Sequence, residues 1–543
     1  MEKLAFDFQK LLSSDEPLTF LAGAGISVDP PSCLASARGI MSDIIKFCCP
    51  KDAADDLLSE PLVSRIRYEY ILGLFRDNLD TNLKIMDYFT QAERPNALHK
   101  FLAGRIRKGN IVMTTNFDFL IEYALGLGDK NARAVITKGD FQKFTDPVEM
   151  AQNDMNVLYK LHGSQKNVFT GEDTAESVIT TLDALAKEKE ENIFALPHYE
   201  RETFIRACKA KTLVVMGYSG GDVFDIIPAL MHTKDLKRVV WIEHTAAPGG
   251  TITSYKITAS DTQQDSPLDQ LLQQLNRGTG VEVIKMRGNT SHICAGQTHK
   301  PNARAMEERI EPPLEWIVTH FEQVSDGLKE HLAARIYDNY DVPNKALTHY
   351  QQSYDRYEEI DNDRGMAAAL GNMGLIYRQT GEPKKAREHH QRAYEIHKQL
   401  KNLSGMADDL GNVGIIYMQT GVPKKALEHH QRAYDIYKQL NNLHGMASAL
   451  GNMGNAYMQT GEPQKALEHH QRAYNIHKQL NNLQGMANQL GNMGIIYMQT
   501  GEPKKARGKF ETCLRLSKQI HYKAGIDFAT GQIKRIVDSL DGM

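Results

Sequence analysis

The amino-acid sequence predicts an α/β domain built on a parallel sheet, followed by an all-α array of repeats. In roughly the first 290 residues, short apolar runs alternate with helical stretches, a pattern typical of a parallel sheet covered by helices. In the remainder, the triplet Gly-Met-Ala recurs every 40 residues, at Gly365, Gly405, Gly445 and Gly485. A fixed period of this length indicates stacked helical units.

The composition is that of an ordinary globular protein. The 543 residues are 41% hydrophobic and 24% charged with a formal net charge of −3, which predicts neither disorder nor bulk attraction to nucleic acid or anionic membranes. The six cysteines form no CxxC pair, and no apolar stretch approaches the roughly 18 residues of a membrane helix. The first residues lack the pattern of a signal peptide. We therefore expect a cytoplasmic protein.

Each 40-residue unit is predicted to hold two helices. In one copy they run from about Gly365 to Gln379 and from Pro383 to about Leu400, with Gly381 as a left-handed cap between them. The units resemble tetratricopeptide repeats. The small, aromatic, small and small positions of that family are filled here by Gly374, Tyr377, Ala386 and Ala393. The usual period is about 34 residues, so longer helices or a longer turn are expected.

Histidine occupies a position where tetratricopeptide repeats usually carry an aromatic residue, and it is preceded by a second histidine. The pairs are His389-His390, His429-His430 and His469-His470. Neighbouring repeats would place matching residues roughly 10 Å apart, which is too far for one metal ion. We therefore predict packing and surface roles for these histidines.

Six apolar runs of the first part are predicted strands, and each ends in glycine or polar residues. They are Leu18–Leu21, Asn110–Met113, Asn156–Leu161, Thr212–Met216, Val239–Ile242 and Val281–Met286. Helices are predicted between them, for example over Leu62–Leu79 and Arg201–Ala210. Because ligands of parallel sheets bind at the carboxyl ends of the strands, the residues that follow these strands are candidate site residues.

Each of these strand ends also has a purely structural interpretation. The segment Gly23–Ser27 suits a phosphate-binding turn or simply a tight strand–helix connection. Asp118 suits a helix cap, as do the polar residues of Gly217–Asp222. His162 alone is more often a packed side chain than a catalyst, and Glu243 is an acid that can bind ribose hydroxyls.

Taken in order, these motifs resemble those of the sirtuin family and its bacterial sirtuin-like NAD hydrolases. The resemblance covers roughly residues 10–292 and implies a Rossmann-like domain that binds NAD. It implies cofactor-binding roles for Gly23, Ala24, Gly25, Ser27, Thr115, Gly217, Ser219, Asp222 and Glu243. It implies catalytic roles for Asn116, His162 and Asp118, with Asp118 either holding the Asn116 loop or meeting the nicotinamide carboxamide.

One departure from the sirtuin pattern concerns zinc. Classical sirtuin deacylases carry four cysteines of a zinc ribbon after the catalytic histidine, whereas Cys208 is the one cysteine between His162 and Gly217. We therefore expect no zinc ribbon and no bound metal. A second departure is Asp29–Cys33, which stands where sirtuins usually have a Pro-Asp-Phe-Arg stretch.

The resemblance implies an NAD+ hydrolase that releases nicotinamide and ADP-ribose. Proteins of this layout resemble antiviral, abortive-infection effectors that deplete cellular NAD+ when the repeats sense a trigger. Two alternatives remain open. One is a zinc-free sirtuin-like protein deacylase or ADP-ribosyltransferase, and the other is a non-enzymatic scaffold that binds NAD or ADP-ribose.

We predict a catalytic domain over residues 1–295, a helical linker over 296–326, about five repeats over 327–524 and a capping helix over 525–543. The repeat family implies a groove, lined by the first helix of each unit, for a protein trigger, a peptide or a sister protomer of a homo-oligomer. An asparagine of each unit would contact that partner, or would belong to a plain polar face: Asn372, Asn412, Asn452 and Asn492.

Overall fold

The computed structural model describes residues 2–178, 196–218, 226–233, 235–245, 252–259, 266–295, 310–520 and 522–541. The chain divides into two compact units. The described residues of the first lie within Met1–Phe47, Ile66–Glu188 and Phe194–Glu322. Those of the second lie within Cys48–Arg65 and Gln323–Met543.

The first unit is built on a mixed, mainly parallel sheet. Its described strands are β1 Glu2–Leu4, β2 Leu18–Ala22, β3 Ile111–Thr114, β4 Ala132–Val135, β5 Asn156–Lys160, β6 Thr212–Met216, β7 Arg238–His244, β8 Thr253–Ile257 and β9 Glu282–Gly288. Their spatial order is β1-β8-β9-β7-β6-β2-β3-β5-β4, with β8 antiparallel to both neighbours. All six predicted strands are present. The three that the sequence did not reveal, β1, β4 and β8, are short or lie near an edge.

The central strands are buried on both faces, which explains their nearly continuous apolar sequences. Successive side chains alternate between two cores. Phe20 and Val112 pack on one side of the sheet, while Leu21 and Met113 pack on the other. Packing on both faces therefore fixes the position of each of these strands, and so of the residue at its end.

Helices precede and follow the strands. They are α1 Phe8–Ser13, α2 Ala37–Cys48, α3 Lys51–Leu57, α4 Tyr68–Leu79, α5 Ala97–Ile106, α6 Leu120–Leu125, α7 Lys138–Lys143, α8 Pro147–Gln152, α9 His198–Cys208, α10 Ile226–Met231, α11 Pro267–Thr279, α12 Thr290–Ala295 and α13 Pro313–His320. The prediction of a helix over Leu62–Leu79 is wrong at its start. Turns occupy 61–65, where Arg65 Nη2 donates to the carbonyl of Tyr340, and the helix begins at Tyr68.

The second unit holds the repeat helices. They are α14 Asp326–Asn339, α15 Pro343–Glu359, α16 Asp363–Gln379, α17 Pro383–Gln399, α18 Leu403–Gln419, α19 Pro423–Gln439, α20 Leu443–Gln459, α21 Pro463–Gln479, α22 Leu483–Gln499, α23 Pro503–Gln519 and α24 Lys523–Asp541. Two 17-residue helices and two three-residue connections account for the whole period. The units are thus longer than usual because their helices are longer.

Local signals define these helices. The Asn402 side chain accepts the backbone N–H of Gly405 at the start of α18, and Pro423 occupies the first turn of α19. Gly421 adopts φ +72° between them, as the left-handed cap requires.

The segment Cys48–Arg65 belongs to the repeat-containing unit. Asp56 of α3 accepts the Tyr337 hydroxyl at 2.6 Å and the Lys345 ammonium at 2.7 Å. Chiefly through Lys345, these bonds hold the pKa of Asp56 below its usual range. A helix long and apolar enough to cross a membrane does not occur in the described ranges.

Candidate functional site

The carboxyl ends of four neighbouring parallel strands meet at one edge of the sheet. The Gly23 N–H donates to the Met216 carbonyl at 3.0 Å, and the Thr115 N–H donates to the Ala22 carbonyl at 3.1 Å. The Leu161 N–H donates to the Thr114 carbonyl at 2.9 Å. The residues that follow β2, β3, β5 and β6 are therefore brought together, as the strand pattern predicts.

Glycines allow the loops after β2 and β6 to touch. The Gly25 N–H donates to the Gly217 carbonyl at 2.8 Å, and a Cβ on Gly25 would lie 2.9 Å from the Gly217 Cα. Gly217 itself adopts φ +64°. Ala24–Ser27 forms one short 3₁₀ turn. Close backbone packing is thus sufficient to explain these glycines, whether or not a phosphate binds beside them.

Ser27 lies at the centre of a buried polar network. Its hydroxyl donates to Asp118 Oδ2 at 2.7 Å and accepts Asn116 Nδ2 at 3.2 Å. Asn116 Nδ2 also lies 3.2 Å from Asp118 Oδ2. The remaining Asp118 oxygen, Oδ1, accepts the Leu120 N–H at 3.1 Å at the start of α6. Asp118 therefore accepts the first N–H of α6 and also holds Asn116, while Phe119 is the cap residue of that helix.

His99 completes this network from the first turn of α5. The backbone N–H of Asn96 donates to His99 Nδ1 at 3.2 Å, so Nδ1 is an acceptor. The ring proton then lies on Nε2, which is 3.1 Å from Ser27 Oγ and donates to it. Burial lowers the pKa of His99 to about 4, so the ring is neutral at physiological pH. Asn96 also donates to the Ile26 carbonyl at 2.7 Å.

The network determines which way the Asn116 amide points. Its nitrogen donates to Ser27 and Asp118, so its oxygen faces the other way. That oxygen, Oδ1, is buried and has no hydrogen-bond partner among the described residues. A buried, unpaired amide oxygen is costly in a native structure and is best explained by a donor that binds there.

His162 follows β5 at the same edge. Lys160 pairs in register with Thr114, so His162 and Asn116 each stand two residues beyond a matched pair of neighbouring strands. The His162 side chain is buried, and its ring centre lies 6.2 Å from that of Phe117. Gly163 adopts φ +75°, and a side chain there would collide with Ser177. The turn after His162 is thus closely constrained.

A buried ion pair lies beneath this edge. Lys160 is 0% exposed, and its ammonium lies 2.9 Å from Glu122 Oε1 and 2.6 Å from the Asp118 carbonyl oxygen. Burial raises the pKa of Glu122, an effect that Lys160 opposes.

Other predicted residues lie apart from this centre. Glu243 is the last residue but one of β7, which β6 separates from β2. Its carboxylate pairs with Lys285 at 3.1 Å and with Arg287 at 3.3 Å. Ser219 and Asp222 lie outside the described residues. The four predicted partner-binding asparagines are half-buried on the first helices of their units: Asn372, Asn412, Asn452 and Asn492.

Metal ligands are not grouped in the part of the chain that the structure describes: no cluster of three or more His, Cys, Asp or Glu side chains is arranged to hold an ion. Cys208 is fully buried, and burial raises the pKa of its thiol to about 12. It is therefore suited to packing and not to ligation.

Models of known families match parts of both units. A family model described as a SIR2-like domain matches residues 110–238, which include Asn116, Asp118 and His162. A second, described as a tetratricopeptide repeat, matches residues 343–399, 406–479 and 445–519. The chain joins a SIR2-like domain to tetratricopeptide repeats. The SIR2-like match is consistent with NAD-dependent chemistry at the edge described above.

Solved structures with similar regions include BtubC (BKLC) from P. vanneervenii, with 19% identity over 36% of this chain and 80% of that chain and a TM-score of 0.34. The apo form of RapI has 16% identity over 40% and 84% of the two chains and a TM-score of 0.36. At these scores the likenesses carry no inference about function. No curated protein matches the chain.

Three residues that support the site, Asn96, His99 and Lys160, were not predicted from the sequence. Asn96 and His99 stand three residues apart, the spacing of a capping box, which is a signal visible in the sequence. Lys160 is a lone charge in the apolar run Val157–Leu161. A charge inside a strand that is buried on both faces points to a specific partner.

Proposed function

We propose that the SIR2-like domain is an NAD+ hydrolase that releases nicotinamide and ADP-ribose. The observation that supports this most is the orientation of Asn116, whose unpaired amide oxygen lies at the same sheet edge as His162. The Asn116 oxygen can accept a hydrogen bond from a ribose hydroxyl of the substrate, and the His162 imidazole can act on an attacking water.

The chemistry requires little from the protein beyond positioning. The bond between nicotinamide and ribose joins a cationic leaving group to a sugar, and its cleavage passes through an oxocarbenium-like centre. Orientation and exclusion of bulk water favour that step. Asn116 Oδ1 would accept a hydrogen bond from a ribose hydroxyl or from the attacking water. His162 would accept a proton as the water adds, the role of a general base.

Asp118 has a supporting role in this proposal. Both of its carboxylate oxygens already accept hydrogen bonds, from Ser27 and Asn116 on one side and from Leu120 on the other. It is therefore better placed to hold Asn116 than to meet the nicotinamide carboxamide. The loop over Gly23–Gly25, with Thr115 and Gly217 beside it, would hold the rest of NAD+.

We propose that the repeats control this activity by binding a protein or peptide trigger, or a sister protomer, in the groove lined by their first helices. The four asparagines Asn372, Asn412, Asn452 and Asn492 support this because they recur at one position on those helices. An NAD+ hydrolase that is always active would harm its own cell, so we propose low activity until the trigger binds. In this account the protein is a defence effector that depletes NAD+.

The test is product analysis on the purified full-length chain. NAD+ is incubated with the protein, with and without extract that contains a candidate trigger, and nicotinamide, ADP-ribose and cyclic ADP-ribose are separated by chromatography. We expect nicotinamide and ADP-ribose in equal amounts. Nicotinamide release that requires an added acyl-lysine peptide would favour a deacylase, and NAD+ binding without any cleavage would favour a scaffold.

A further inference from the structure

Lys160 is the most deeply buried charge near the candidate site. It lies on β5, is 0% exposed, and stands among the buried residues Val157, Leu158 and Leu161. Its ammonium donates to Glu122 Oε1 at 2.9 Å and to the Asp118 carbonyl at 2.6 Å, and lies 5.0 Å from the centre of the Phe119 ring. The ammonium therefore has two hydrogen-bond acceptors and an aromatic ring beside it.

Stability alone does not account for this arrangement. Removing two charges from water is costly, and well-packed apolar residues of similar volume often stabilise a protein as much as a buried ion pair does. The neighbouring positions on β5 show that this core accepts apolar side chains. The lysine at position 160 is therefore better explained by its hydrogen bond to the Asp118 carbonyl than by any stability gained from its ion pair with Glu122.

The atom it reaches belongs to the loop that carries Asn116. Lys160 lies opposite Thr114 in the sheet, yet its side chain extends to the carbonyl of Asp118, beyond the end of β3. The side chain of Asp118 in turn accepts Asn116 Nδ2. His162 follows Lys160 by two residues on the same strand. One side chain thus ties the Asn116 loop to the strand that precedes His162.

We propose that Lys160 is a positioning residue that fixes Asn116 and His162 relative to each other at the carboxyl edge of the sheet. Glu122 is the counter-ion that holds its ammonium in place. The inference rests on the proposed NAD+ hydrolysis. It predicts that the bond from Lys160 to the Asp118 carbonyl matters for turnover, whereas the charge of Glu122 matters for stability.

Two variants separate these effects. In Lys160→Met with Glu122→Met, the buried charges and the bond to Asp118 are both removed. We expect a melting temperature at or above wild type, kcat lowered about 10- to 100-fold and KM for NAD+ within about threefold, because loss of alignment affects the reacting geometry more than binding. In Glu122→Gln, Lys160 keeps its bond to Asp118. We expect a lower melting temperature and kcat within about threefold of wild type.

A purely structural role for Lys160 predicts the reverse pattern. Activity would then follow stability, so the double-methionine variant would keep wild-type kcat and Glu122→Gln would lose it. That result would overturn the proposal.

Hydrogen–deuterium exchange gives a readout that does not depend on NAD+ cleavage. The double-methionine variant should exchange faster than wild type in the peptide spanning residues 115–122, with no change over β2. If wild type releases no nicotinamide even when extract with a candidate trigger is added, the proposed function fails, and exchange alone decides the role of Lys160. Unchanged exchange in residues 115–122 would contradict the proposal in either case.

Discussion

His99 in the sheet-containing unit and His430 in the repeat unit are both fully buried histidines, and burial lowers the pKa of each to about 4. Their surroundings differ. Both ring nitrogens of His99 take part in hydrogen bonds, to Asn96 and Ser27. Neither ring nitrogen of His430 has a partner among the described residues. Hydrogen bonds hold the histidine ring in the sheet-containing unit, whereas van der Waals packing holds it in the repeat unit.

Shape explains His430 because its ring fills the space above a glycine. A Cβ on Gly414 would lie 2.5 Å from the ring of His430. The matching position carries Tyr350 in the first repeat and Phe510 in the last repeat. Phe510 packs against Gly494 in the same way. A flat ring is required there, and its nitrogens are not. In contrast, the position of His99 requires one nitrogen that accepts and one that donates.

Substitution of phenylalanine should have opposite effects on stability at His99 and at His430. His99→Phe leaves the Asn96 N–H without a partner and removes one of the three hydrogen bonds of the Ser27 hydroxyl, so we expect a loss of about 2–5 kcal/mol of unfolding free energy. His430→Phe removes two unpaired nitrogens and should stabilise the repeats by about 1 kcal/mol. Denaturant unfolding followed by circular dichroism measures both. Equal destabilisation by the two changes would contradict the comparison.

The difference in stability between His430→Phe and wild type should depend on pH. The folded-state pKa of His430, about 4, lies below the usual value near 6.5, so the unfolded chain binds the proton first. The contribution of His430 is therefore full above pH 6.5 and is lost as the pH falls toward 4. We expect His430→Phe to gain up to about 2 kcal/mol more over wild type at pH 5 than at pH 7. A pH-independent difference would show that the ring is not buried as described.

A hydrogen-bond partner for His430 should give the smallest effect. Nineteen residues after each buried histidine, the next helix carries Asp409 beside His390 and Gln489 beside His470, but Ala449 beside His430. Ala449→Gln should therefore stabilise the array by about 1 kcal/mol. The matched control is the same change in a His430→Phe background, where no gain is expected. A gain that persists in that background would rule out the hydrogen bond as its cause.

The repeat unit was largely predictable from sequence because its determinants are local. Caps, glycines and prolines recur at fixed steps, and each acts within a few residues of itself, as Asn402 does on Gly405. The hydrogen-bond partners of the buried histidines were not predictable, because they come from the next repeat. At that position Asp409 and Gln489 offer an acceptor, and Ala449 does not.

The candidate site was predictable only at its edge. Parallel strands place the residues that follow them together, so Gly23, Asn116 and His162 could be expected there. His99 and Lys160 could not be assigned roles, because their partners lie 72 and 42 residues away in the chain. The orientation of Asn116 depends on those distant contacts. The strands β4 and β8 were missed because they lie at or next to the edges of the sheet and lack a continuous apolar run.

The most direct test of the account is the kcat for NAD+ of Asn116→Ala and His162→Ala, measured beside His198→Ala. His198 is a matched control because its side chain is 73% exposed on α9. With purified protein under conditions where wild type releases nicotinamide, we predict that each site variant lowers kcat at least about 100-fold while its fold is retained, and that the control does not. Wild-type kcat in both Asn116→Ala and His162→Ala would contradict the assignment of the site.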